Sequence, residues 1–350
     1  MDERAGHGDQ TPPAGTVAVS HLGILVVYHL KDDDDLPLLE LHLDRIARHT
    51  LVPYTLFAVV NRVTDRARAL VRAAPRVVIC EVPPTDRRAS REHAYYLDAM
   101  VPRALAAGCS HLCTLDVDSF PIDDRWLEVL VAAMPPEAGL AGILRTENSD
   151  VALAHPSCVL ATREFFERFA PSFSPDPIDS VEYRAFVRET GQLADTGIRL
   201  TAALWSAGLP WGRITRTNAV DPHYLIAGIY GDVVFHLGGI ARGKVFRTDL
   251  VRSRVHRWSR PLEHLPAPGA ALGAAKRRVI RAVRGPAERR MAEHNRVAYS
   301  SLREQLFSDP DRLFATLRGR PLPADVPVPG DVPVPADESA SSDASSRRSA

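Results

Sequence analysis

At 350 residues, with 45% hydrophobic and 25% charged side chains, the chain has the composition of a globular protein with a sizeable core, in one large domain or two small ones. Its 43 basic residues balance 43 acidic ones, so net charge gives no argument for a nucleic-acid partner, and none is expected. No run of about 18 apolar residues offers a membrane span, and the N-terminal MDERAGHGDQTPPAG lacks the basic-then-apolar order of a signal peptide, so a cytoplasmic protein is expected.

Residues 1–17 are polar and punctuated by Pro and Gly, which predicts a disordered N-terminus. HLGILVVYHL (21–30) is a continuous apolar run of strand length, as in a strand buried on both faces of a parallel sheet. DLPLLELHLDRIARHT (35–50) spaces Leu38, Leu39, Leu43 and Ile46 at helical period. YTLFAVVN (54–61) reads as a strand, TDRARALVRAA (64–74) as a helix and RVVICEV (76–82) as a strand. Ser90 is the expected N-cap of a helix that Gly108 closes, and Pro102 predicts a kink or a split within it. HLCTLDVD (111–118) is the fourth strand. This alternation predicts an open, mostly parallel α/β sheet flanked by helices, with ligands beyond the carboxyl ends of its strands. Cys80, Cys109, Cys113 and Cys158 match no Cys-x-x-Cys pattern and read as buried, reduced thiols.

Four Asp-x-Asp triplets occur: Asp32/Asp34, Asp33/Asp35, Asp116/Asp118 and Asp309/Asp311. The first two share an acidic run that reads as a solvated loop, and the last flanks a Pro and reads as a helix cap. Asp116 and Asp118 alone stand where an apolar strand stops. Carboxylates at i and i+2 share one side of a strand, and their oxygens suit Mg²⁺ or Mn²⁺, whose remaining positions water and substrate phosphate can fill. The competing reading, a cap for the helix that follows, is already served by Asp123 and Asp124.

The order of apolar strand, LDVDSFPIDDRWLEVL and helix resembles the metal-binding segment of GT-A type glycosyltransferases, particularly family 2, and the resemblance extends over roughly residues 20–245. It implies a GT-A fold and a metal-dependent, inverting transferase that moves a sugar from a nucleotide-diphosphate donor to an unknown glycan, lipid or small-molecule hydroxyl, and the lack of a Gln-x-x-Arg-Trp segment and of membrane spans argues for a non-processive one. By position, Asp118 would bind Mn²⁺ or Mg²⁺ and Asp116 the ribose or the metal shell. Asn61 stands where the family commonly places an acid near the nucleobase, and Tyr28, ending the first strand, is assigned to the nucleotide side as well. VALAHPSCVLATREFFERF (151–169) looks like the strand and helix lining the acceptor side, where His155 either meets substrate or is structural. LADTGIRLTAALWSAG (193–208) resembles the helix led by the general base, which makes Asp195 that candidate; a cap or first-turn acid is the other reading. In DVVFHLGG (232–239), His236 stands where the family's late metal ligand is expected, and the glycines would let backbone approach a diphosphate. Arg87, Arg88 and Arg91 either meet phosphate or form a solvated loop.

From Arg242 to Arg290 fourteen Lys/Arg face only Asp249, Glu263 and Glu288. LGAAKRRVIRAVRGPAERR reads as a basic amphipathic helix with Leu272, Val279, Ile280 and Val283 on its apolar side, placed either on the domain or on the inner face of an anionic membrane as a peripheral contact. The expected organisation is therefore a domain over 18–245, a basic helical extension over 246–320 and a disordered Pro/Ser-rich tail over 321–350. A sugar nucleotidyltransferase would need a Gly-rich loop after the first strand, where YHLKDDDDLP has no glycine. A non-catalytic binding or scaffold protein is the non-enzyme alternative.

Overall fold

In the computed structural model, which describes residues 18–238, 249, 259, 261–262, 265–266 and 269–320, the first apolar run forms β1 (Leu22–Tyr28). It pairs in parallel with β2 (Tyr54–Val60) and β4 (His111–Leu115), and β2 with β3 (Val77–Ile79). β7 (His155–Thr162) runs antiparallel to β4 and to β6 (Leu140–Ile143), and β8 (Gly212–Ile214) closes the order β3-β2-β1-β4-β7-β6-β8. This is the open, mostly parallel, helix-flanked sheet expected from the alternation of elements.

The strands read as continuous apolar runs because both faces are covered. Leu22, Ile24 and Val26 of β1 pack under α1 (Leu36–His49), α2 (Asp65–Ala73) and α4 (Trp126–Ala133), through Leu39, Ile46, Val71 and the fully buried Trp126. Leu25 points the other way, into a cluster with Leu97 and Met100 of α3 (Ser90–Ala106), Phe165 of α5 (Arg163–Phe169) and Leu200 of α7 (Ile198–Ser206). α6 (Val181–Thr190) packs Phe186 beside α7. All four cysteines are buried.

Three local expectations change. α3 runs unbroken through Pro102, since burial of Tyr96, Leu97, Met100 and Ala104 along one face outweighs one lost backbone bond. Ser90 is the first helical residue rather than the N-cap; Ala89, at φ 51°, precedes it. The acidic run after β1 is exposed over Asp32–Asp34, where Asp33 accepts a hydrogen bond from Thr64 at 2.7 Å, but its last member, Asp35, is buried against Arg303 at 3.3 Å.

A second sheet, β5 (Ser119–Pro121), β10 (Val234–His236) and β9 (Gly228–Tyr230), is antiparallel throughout. Its apolar side meets the second half of α8 (Ala270–Ser308) and α9 (Pro310–Leu317): Phe120, Phe235 and Ile229 pack with Leu302, Leu306 and Phe314. Asp309 caps α9 through the Arg312 amide at 2.9 Å, as the sequence predicts. Residues 299–317 therefore pack into one cluster with Leu38, Phe120 and Phe235. Residues 1–17, Gly239 and the tail 321–350 lie outside the described residues.

Candidate functional site

β4 stops at Leu115, so Asp116 and Asp118 sit in the turn beyond it, not on the strand. The Ser119 amide closes that turn onto the Asp116 carbonyl at 2.9 Å, and β5 starts at once. β10 then arrives from far along the chain, with His236 opposite Ser119 and the Leu237 amide bonded to the Asp118 carbonyl at 2.8 Å. This register brings the His236 ring to the carboxylates. Nε2 lies 3.6 Å from Asp118 Oδ1, and one donor atom from each of Asp116, Asp118 and His236 lies within 4.8 Å of the others.

Burial sets the charges here. Desolvation, reinforced by the Asp118 charge and opposed by Arg145, pushes Asp116 up to about 8. Its side chain keeps 24% of its surface open, and water reaching that part moderates the shift. Burial pulls His236 down to about 4 against the opposing pull of Asp118, so its imidazole is neutral at physiological pH and has a lone pair to offer. His93, from α3, lies 3.5 Å from Asp116 and is likewise held down to about 4 by burial. Two crowded carboxylates with a neutral imidazole suit Mn²⁺ or Mg²⁺: hard oxygens dominate the donor set, and a divalent charge would offset their repulsion.

Asp116 and Asp118 open onto a cavity of about 600 Å³, also lined by His29, Asn61, Arg88 and His93. That volume falls within the usual range for ligand pockets, about 300–1,000 Å³. Asn61 has a carboxylate partner that no local pattern reveals. Its Nδ2 donates to Glu92 Oε1 at 3.2 Å, and Arg62 pairs with the same oxygen at 2.8 Å. Glu92 thus delivers, from α3, an acid beside the position where the sequence has an amide.

Tyr28 does not line this cavity. It is fully buried, edge-on to His42 at 5.6 Å, which corrects its assignment to the nucleotide side; the alternation of β1 turns it into the core under α1. Asp195 precedes α7, whose N-cap is Gly197, and its Oδ1 accepts from the Thr196 amide at 2.8 Å and from Ser90 Oγ at 2.6 Å. The link to Ser90 ties it to the start of α3. Its charge reaches the site, raising Asp116 and opposing the depression of His93. Of the three arginines in the 83–93 stretch, only Arg88 lines the cavity; Arg91 pairs with Asp176 at 2.5 Å and Arg87 lies over the Tyr95 ring.

Behind the cluster, His155 packs on His236 with ring centroids 5.7 Å apart. Arg145, buried, lies 3.5 Å from both His155 Nε2 and Glu147, and Tyr230 donates to Glu147 at 2.5 Å. The sequence gives no sign of Arg145, Glu147 or Tyr230, which come from a loop and a short strand without a motif.

No protein-family model matches the chain, and no curated protein matches it. Among solved structures it is similar to the mannosyltransferase PcManGT from Pyrobaculum calidifontis in complex with GDP-Man and Mn²⁺. That likeness has 15% identity and a TM-score of 0.37 over 89% of this chain and 87% of that one. It is also similar to the galactosyltransferase LgtC in complex with donor and acceptor sugar analogs, at 12% identity and a TM-score of 0.33 over 56% of this chain and 73% of that one. Likenesses this distant carry no argument about chemistry, which rests on the residues above.

Proposed function

We propose that the chain is a metal-dependent, non-processive, inverting glycosyltransferase that moves a sugar from a nucleotide-diphosphate donor to a hydroxyl acceptor. The observation that carries this reading is the convergence of Asp116, Asp118 and His236 at the carboxyl end of β4, at the mouth of a cavity large enough for a nucleotide. Asp116, Asp118 and His236 would hold Mn²⁺ or Mg²⁺. When bound, the ion supplies charge that stabilises the leaving diphosphate without a proton.

The rest falls to the chain's own groups. Asn61, steadied by Glu92, takes the nucleoside end of the donor, and Arg88 offers a cation on the cavity wall to its phosphates. Transfer breaks the bond between the anomeric carbon and the diphosphate oxygen as the acceptor oxygen bonds to that carbon from the opposite face. The acceptor's proton goes to a base, for which Asp195 is the candidate. Its bonds to Ser90 and Thr196 fix one carboxylate oxygen and leave the second to act.

Release of nucleoside diphosphate from a panel of sugar nucleotides, with Mn²⁺ and with chelator, tests the reading. The expected result is metal-dependent release from one donor class, abolished in Asp118→Ala with the fold intact by circular dichroism. Release that survives chelator and Asp118→Ala contradicts it.

A further inference from the structure

The long helix α8 does two different things along its length. Its second half is packed: Asn295, Tyr299, Leu302 and Leu306 are buried, and Asn295 is bonded to His223 at 3.0 Å and to Asp249 at 2.8 Å. Its first half keeps Leu272, Val279 and Val283 at 53%, 52% and 47% exposure. At 100° per residue these three side chains fall within about 40° of the helix circumference, with Ala275 and Pro286 on the flank. The packed residues of the second half lie on roughly the opposite side. The apolar stripe therefore faces away from the body that anchors the helix.

The charge around this stripe is of one sign. Residues 264–287 contain no Asp or Glu, whereas Lys276, Arg277, Arg278, Arg281 and Arg284 fall within them and Arg289 and Arg290 follow, with Glu288 between. Arg277, Arg278, Arg281, Arg289 and Arg290 are exposed, while Arg284 is turned inward onto Ser259 Oγ at 2.5 Å. An exposed apolar stripe on a helix whose flank and far side carry exposed arginines, Arg290 beside the stripe and Arg278 and Arg289 roughly 100–120° round from it, is complementary to a surface that is apolar below and anionic at its face.

We infer that the first half of α8 seats the protein on an anionic lipid bilayer, with Leu272, Val279 and Val283 in the acyl boundary and the arginines among the headgroups. Among the described residues no helix is long and apolar enough to cross a membrane, so this contact lies in the interface plane. The inference stands apart from the chemistry proposed above, since none of these residues lines the cavity.

Flotation of the full chain tests it, with phosphatidylcholine vesicles and with phosphatidylcholine vesicles containing phosphatidylglycerol, at low and high salt. The expected result is co-flotation with the anionic vesicles only, lost at high salt. Binding should fall at least tenfold when Leu272→Asp, Val279→Asp and Val283→Asp are combined, and likewise for Arg278→Glu with Arg290→Glu. All five positions are exposed, so the variants should fold, and an unchanged far-ultraviolet spectrum and melting temperature verify this. Failure to float, equal flotation with neutral vesicles, or flotation unchanged in the variants overturns the inference. So does a concentration-dependent dimer, detected by sedimentation and lost in the apolar variant, that forms in place of lipid binding.

Discussion

Raising the pH from 6 to 8 should tighten Mn²⁺ binding steeply. Asp116 is raised to about 8 from an ordinary 3.8, chiefly by burial and then by the Asp118 charge, so at pH 6 nearly every molecule carries a proton that the ion must displace. His236 sits at about 4 and is already neutral across the window, so it adds nothing to the slope. The competition factor, one plus ten to the power of 8 minus the pH, falls from about 100 at pH 6 to about 2 at pH 8, a gain of about 50-fold in apparent affinity. The open part of the Asp116 side chain makes this an upper bound. The sign for stability is opposite. A carboxyl whose folded pKa lies above its unfolded value binds more protons when folded, so the metal-free protein loses stability as pH rises from about 4 to about 8, and saturating Mn²⁺ should restore it most at the alkaline end. Calorimetric titration in two buffers of different ionisation enthalpy measures both affinity and proton release, which should approach one proton per ion at pH 6. An affinity that changes less than about threefold, with no proton released, refutes the reasoning.

Asp195→Asn should lower turnover at least 100-fold with little change in nucleotide affinity, because it removes the base and leaves the residues lining the cavity in place; normal turnover removes it as the base. Phe314→Ala should cost about 3–5 kcal/mol in denaturant unfolding, since the ring fills the cluster between α9 and the second sheet; a loss under 1 kcal/mol would mean the C-terminal helices are dispensable. Gly212→Ala should destabilise by about 1–3 kcal/mol or more, because the added carbon would stand 2.3 Å from the Ala133 carbonyl oxygen; unchanged stability would mean β8 and α4 do not approach so closely.

The first half of the fold is legible in the sequence because strands covered on both faces are apolar at most positions rather than at alternate ones. The runs at 22–28, 54–60 and 111–115 carry that mark, interrupted only by Thr55, His111 and Thr114. Asp116 and Asp118 stand out for the same reason, as charges where such a run ends. His236 is visible only as a histidine closing a short strand; what places it is the pairing of β10 with β5, a register between distant segments that no local pattern encodes. Glu92 and Arg145 are hidden for a related reason. Each is an ordinary charged residue in its own segment and acquires a role from the partner the sheet brings to it: Asn61 for Glu92, and His155 for Arg145. Tyr28 shows the converse, the last residue of its strand, whose direction is set by the period of two. Ser90 has the sequence context of a cap, yet its hydroxyl is taken by Asp195, which local pattern alone could not reveal. In α8 the basic first half dominates the composition, so the packing residues of the second half, Tyr299, Leu302 and Leu306, do not stand out in the sequence.

The most direct test is calorimetry with a panel of nucleoside diphosphates, in Mn²⁺ and in chelator, on the wild-type chain and on Asp118→Ala. The account predicts tight binding of one nucleotide that needs the metal and vanishes in Asp118→Ala. Binding of none of them, or binding indifferent to both chelator and substitution, would contradict it and leave the two carboxylates as parts of a turn.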